Sequence, residues 1–113
     1  MKTLQVKFYR SEKGNEPVRE WLKSLSKENK SILGEDIKTI EYGWPLGMPL
    51  VRKMDKDLWE VRSDLTNKEI ARVLFTVSGN NMVLLHGFIK KTQQTPINDL
   101  KIAKNRRDQI LKG

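Results

Sequence analysis

Apolar and polar residues alternate through residues 3–10, TLQVKFYR, with Leu4, Val6 and Phe8 on one side. A two-residue period is that of a half-buried strand. SEKGNEP then breaks the alternation. From Pro17 to Leu25 the period changes: Val18, Trp21, Leu22 and Leu25 fall at i, i+3, i+4 and i+7, one apolar stripe of a helix. Pro17 suits a first helical turn, which has no use for its missing N–H. Ser26 predicts the N-cap of a second helix running to about Tyr42, with Leu33, Ile37, Ile40 and Trp44 on its buried side. Gly34 inside that helix costs about 1 kcal/mol relative to alanine. Gly43 and Pro45 stop the helix. Two amphipathic helices joined at Ser26 predict a hairpin docked on something flat.

After the apolar turn GWPLGMP, strand patterns follow in quick succession. LVRKM is short. LWEVRS sets Trp59 and Val61 against Glu60 and Arg62. IARVLFTV sets Ala71, Val73, Phe75 and Val77 against Ile70, Arg72, Leu74 and Thr76. NMVLLHGFI is apolar on both faces, which predicts a central strand. The links DKD, DLTNKE and SGNN carry hairpin chemistry, so the four predict an antiparallel meander. The last segment opens TPINDLKIAK, with Thr95 as a predicted N-cap and Pro96 at the first helical position. Ile97, Leu100, Ala103, Ile110 and Leu111 form a partial apolar stripe, and Lys101, Lys104, Arg106 and Arg107 mark the polar surface. The order β-α-α-β-β-β-β-α predicts a single α+β domain, two N-terminal helices packed on a mostly antiparallel four- to five-stranded sheet, plus a C-terminal helix.

Charge sharpens this picture. The chain of 113 residues has 22 basic and 14 acidic side chains, a net of +8. Residues 86–113 alone hold seven basic and two acidic groups, a net of +5. A surplus concentrated in one quarter of the chain points to a polyanionic partner as well as to solubility. There is no cysteine and one histidine, so the nitrogen and sulfur ligands of a zinc site are nearly absent. No signal peptide is legible in MKTLQVKFYR, and no run approaches the roughly 20 apolar residues of a membrane helix. The expectation is a cytoplasmic protein that uses no metal and no cofactor.

The candidate chemistry lies where charges interrupt apolar strands. An arginine buried without a partner is very costly, so Arg72 must face water, a carboxylate or a ligand. If the meander pairs in sequence, Arg62 and Arg72 share the face opposite Trp59, Val61, Val73 and Phe75. Lys90 and Lys91 end the next strand, and Lys53 lies on the strand before. Together Lys53, Arg62, Arg72, Lys90 and Lys91 would make a phosphate cradle. The plainer alternative is a set of cross-strand pairs with Glu60 that covers an open face. Strand alternation places His86 with Leu84, Phe88 and Lys90, and an imidazole suits general acid–base work. Gly87 predicts a close backbone approach or a bulge. Phe88 offers a base-stacking surface or core packing, and Trp21, Trp44 and Trp59 are expected in the core. Such cations suit RNA cleavage, in which the 2′-hydroxyl attacks the neighbouring phosphate and positive groups stabilise the charge that develops.

The order of elements, LWEVRSD…ARVLF, and above all LLHGFIKKTQQTP followed by a basic helix resemble the phage-derived HigB-type toxins of the RelE/ParE superfamily. The similarity covers essentially the whole chain. It implies a toxin of a type II toxin–antitoxin pair, an endoribonuclease that cuts messenger RNA on the translating ribosome, and a HigA-like helix-turn-helix antitoxin as partner. Arg72 matches the superfamily's phosphate-stabilising arginine, Lys90 and Lys91 its basic pair at the end of the last strand, and Arg62 lies near its basic positions on the preceding strand. Glu60 stands where a lysine is expected, and Ile97 falls near the position of RelE's tyrosine. The general base is therefore open among Lys53, Lys90, His86 and Glu60. The C-terminal helix, with Lys101, Lys104, Arg106 and Arg107, is the candidate surface for ribosome contact. Two other classes fit the same pattern: a non-enzymatic gyrase inhibitor of the ParE type, and a small phage nucleic-acid-binding protein.

Overall fold

The computed structural model describes residues 1–90 and 95–112. Its elements are β1 (Gln5–Phe8), α1 (Pro17–Ser24), α2 (Lys27–Gly43), β2 (Val51–Asp55), β3 (Leu58–Asp64), β4 (Ile70–Ser78), β5 (Asn81–Lys90) and α3 (Ile97–Lys112), with a 3-10 turn at Thr66–Lys68. The fold is α+β, a five-stranded mixed sheet with three helices. The strand order is β1-β5-β4-β3-β2. The meander β2 to β5 is antiparallel, as its hairpin links predict, whereas β1 lies parallel to β5. The α1–α2 pair separates β1 from the meander, which frees β1 to return beside the last strand in parallel sense.

The local signals explain the helices. Ser26 accepts a hydrogen bond from the Asn29 N–H at 3.1 Å, a cap worth about 1 kcal/mol. Pro17 opens α1. On α2, Leu33, Ile37 and Ile40 are buried and pack with Val18 of α1 against Val61, Val73, Phe75, Met82 and Leu84. Trp44 and Trp59 meet edge-on at 5.0 Å and, with Trp21, pack against this core. The opposite sheet face is also covered. Leu58, Leu74, Val83 and Leu85 form a second core with Tyr9 and with Ala103 of α3, and Leu100 and Ile110 flank it. The stripe predicted on α3 is only partly used, because Ile97 and Leu111 stay exposed.

Two backbone features decide which residues share a face. In β5, Leu74 pairs with His86 while Phe75 pairs with Leu84, so Leu85 is an extra residue. Such a bulge turns two successive side chains to one side. His86 therefore shares the α3 face with Leu85, Phe88 and Lys90 but not with Leu84, a correction to strict alternation. Gly87 faces the other way. A Cβ there would lie 2.5 Å from the Trp21 ring, so the glycine is required by the close approach of α1.

Candidate functional site

The α3 face of the sheet carries the charges. Its central row is Arg62, Arg72 and Phe88, aligned across β3, β4 and β5. Glu60, Leu74 and His86 form the row on one side of it, and Asp64, Ile70 and Lys90 the row on the other. Arg62 and Arg72 thus share the face opposite Trp59, Val61, Val73 and Phe75, as the meander predicts.

Arg72 differs from expectation in its exposure. It is only 2% exposed, and its Nη1 donates to Glu60 Oε1 at 2.6 Å, with Glu60 1% exposed. Of the three environments open to this arginine, the one found is a carboxylate. Glu60 and Arg72 sit diagonally across β3 and β4, so the pair is cross-strand. α3 packs on the same sheet face, and the open cradle expected around Arg72 is replaced by a buried ion pair. Thr95, predicted to cap α3, donates its hydroxyl to Glu60 Oε2. The Arg72–Glu60 pair is thereby joined to the segment that leads into α3.

The solvent-facing part of this face, a strip of His86, Phe88 and Lys90 on β5, lies beside it. His86 Nε2 and Asp99 Oδ1 are 2.6 Å apart, both partly exposed. Asp99 is in the first turn of α3, where a carboxylate is favoured by the helix dipole. The carboxylate fixes the imidazole ring, as in carboxylate–histidine pairs generally. The Phe88 ring lies 5.8 Å from His86 and packs partly on the second core. Lys90 is half-buried at the end of the same face. Arg62 is exposed, reaches to 4.0 Å from Asp64, and lines a shallow cavity of about 570 Å³ with Pro49, Leu50 and Asp36. The other walls of that cavity come from α2, the segment before β2 and Asp64.

One other expected position falls elsewhere. Lys53 pairs with Trp59 in the β2–β3 register and lies over that indole at 6.0 Å. It is on the α1–α2 face, so it does not join Arg72 in one patch. The exposed residue opposite Glu60 is Arg52, which strand periodicity could have found once the register was known. Lys91 lies outside the described residues.

α3 also departs from a simple basic face. Arg106 donates to the Leu85 carbonyl at 2.8 Å and stacks on Tyr9 at 5.0 Å. It thereby satisfies the backbone of the bulge. Arg107 donates to Asp55 Oδ2 at 2.7 Å and to the Lys56 carbonyl at 2.8 Å. The hydrogen bond from Arg107 holds the Asp55 carboxyl below its ordinary value, and Asp55 in turn raises Arg107. Both arginines fasten α3 to the rest of the chain, a correction to their placement on its polar surface. Lys101 is exposed, and Lys104 is half-buried, 3.9 Å from Asp55.

Among the described residues no group of three or more His, Cys, Asp or Glu side chains converges as a metal site would require. None of their helices is long and apolar enough to cross a membrane.

The model of the family described as Phage derived protein Gp49-like (DUF891) matches residues 20–108. The chain belongs to this family. Gp49-like proteins are associated with the toxins of toxin–antitoxin systems. The match begins within α1 and spans α2, the meander and most of α3, and so includes every residue of the strip. No curated protein matches the chain.

Proposed function

We propose that this Gp49-like chain is the toxin of a type II toxin–antitoxin pair, of the HigB type, and that it cuts messenger RNA on the translating ribosome. The observation that carries the reading is the carboxylate-held imidazole of His86, on the same strand face as Phe88 and Lys90 and beside the Arg62–Arg72 row. Family membership and the net charge of +8 support it from independent directions.

An RNA 2′-oxygen attacks the adjacent phosphorus in line, and the bond from phosphorus to the 5′-oxygen breaks. The products are a 2′,3′-cyclic phosphate and a 5′-hydroxyl. The 2′-hydroxyl proton must leave and the 5′-oxygen must gain one. His86 is suited to one of these transfers, with Asp99 orienting the ring. Lys90 and Arg62 face the charge that develops on the phosphoryl oxygens. Arg72, buried behind the strip, acts as a positioning residue: through Glu60 it sets Thr95, and α3 brings Asp99 to His86. Lys101 on α3 is the residue best placed for ribosomal RNA, and a HigA-like antitoxin is the expected neutralising partner.

The test is to map transcript 5′ ends after brief induction. New 5′-hydroxyl ends within translated codons are expected, and they should vanish in Lys90→Ala. Growth arrest with intact transcripts would overturn the nuclease reading, and lost DNA supercoiling alongside it would indicate gyrase inhibition instead.

A further inference from the structure

On the far side of the sheet from the His86 strip, α1, α2 and the end of β1 leave a groove of about 290 Å³. Phe8, Leu22 and Ile37 give it an apolar lining. Its remaining side chains are Arg19, Lys23 and Lys30, and no carboxylate lines it among the described residues. All three cations are exposed, and Arg19 makes a 3.2 Å surface pair with Glu16. Such an exposed pair is worth little, so it holds the arginine only weakly from another carboxylate.

Gly34 completes the groove. It sits in the middle of α2, where glycine costs about 1 kcal/mol relative to alanine. Gly87 answers the same question from within the chain, because Trp21 occupies its Cβ position. Gly34 does not, since a Cβ built there meets nothing within 4 Å. Its backbone is open to solvent at the bottom of an apolar, cation-rimmed groove between two helices. A bare backbone at that place lets another chain come close. A groove between paired helices, with apolar walls, fits a third helix that inserts its apolar side chains. The cations fit carboxylates along the polar face of that helix.

We propose that the α1–α2 groove is the docking surface for an acidic amphipathic helix of a partner protein, with Gly34 as the point of closest approach and Lys23 and Lys30 as the charge-reading residues. The inference does not rest on the nuclease reading. Groove and strip lie on opposite sheet faces, so a helix bound here leaves His86 and Lys90 uncovered.

The full chain, isotope-labelled, would be titrated with a designed helical peptide bearing leucine on one face and glutamate on the other. Its lysine-for-glutamate counterpart is the control. Amide shifts centred on Leu22, Gly34 and Ile37 are expected with the acidic peptide alone. Binding should weaken about tenfold or more in Lys23→Glu/Lys30→Glu and in Gly34→Leu, with the circular dichroism of both variants unchanged. Shifts centred on α3, equal binding of the basic peptide, or affinities within about twofold of wild type in both variants would overturn the proposal. So would a dimer in sedimentation that Gly34→Leu dissolves, which would assign the groove to a second copy of this chain.

Discussion

Arg72 and Glu60 form an ion pair of 2.6 Å in which neither residue is more than 2% exposed. Removing one member of such a pair leaves a buried charge without compensation, which costs about 3–5 kcal/mol. Arg72→Ala is therefore expected to lower stability by that amount in urea unfolding. A Glu60→Leu/Arg72→Met double variant should recover most of the loss, because apolar replacement of a whole buried pair is close to neutral. If Arg72→Ala unfolds like wild type, the pair is not structural. Loss of toxicity in Arg72→Ala would then report on chemistry rather than on folding.

His86 and Asp99 form a second pair, partly exposed, and their variants separate catalysis from packing. His86→Ala should reduce the rate of transcript cleavage by about 10²–10⁴, the usual weight of a general acid or base. Added imidazole should restore part of it. A histidine that only pegs α3 to the sheet would show no such rescue, and its loss would appear in the melting temperature instead. Lys90→Ala should cut the rate without a change in unfolding midpoint, since Lys90 ends its strand partly in solvent.

The strands and helices were largely legible because their signals are local: the Ser26 cap, the stripe of Leu33, Ile37 and Ile40, and the alternation through β3 and β4. The site was less so. Its geometry depends on one extra residue, Leu85, which turns His86 to the α3 face. Nothing in LLHGF announces a bulge beyond the glycine. A basic strand residue such as Lys53 carries no sign of its face until the β2–β3 register is known. The burial of Arg72 goes with a partner, Glu60, 12 residues earlier, which is itself bonded to Thr95, 35 residues further along the chain. The role of Asp99 is hidden in the sequence for the same reason: its partner is 13 residues away on another element.

Asp55 gives a pH dependence with a defined sign. Its carboxyl is held below the ordinary value of 3.8, first by the Arg107 hydrogen bond. A group lowered on folding adds stability above its unfolded value, and that contribution is lost as pH falls through the folded one. Wild type should therefore lose stability below pH 3.8 more steeply than Asp55→Asn, whose α3 anchor does not titrate. Chemical unfolding as a function of pH measures the difference, and parallel curves would mean that Arg107 does not read the Asp55 charge.

Gly34 and Gly87 should respond to the same substitution with opposite signs. Alanine at Gly34 enters open space on a helix and removes a conformational cost, so Gly34→Ala should stabilise the chain by about 1 kcal/mol. Alanine at Gly87 puts a methyl group 2.5 Å from the Trp21 ring. Either the indole or α1 must move, and overpacking of this kind costs about 1–3 kcal/mol. Paired urea titrations of the two variants test both statements. A destabilised Gly34→Ala would mean that α2 needs its glycine for a reason inside the chain, and the case for an external helix at that position would weaken with it.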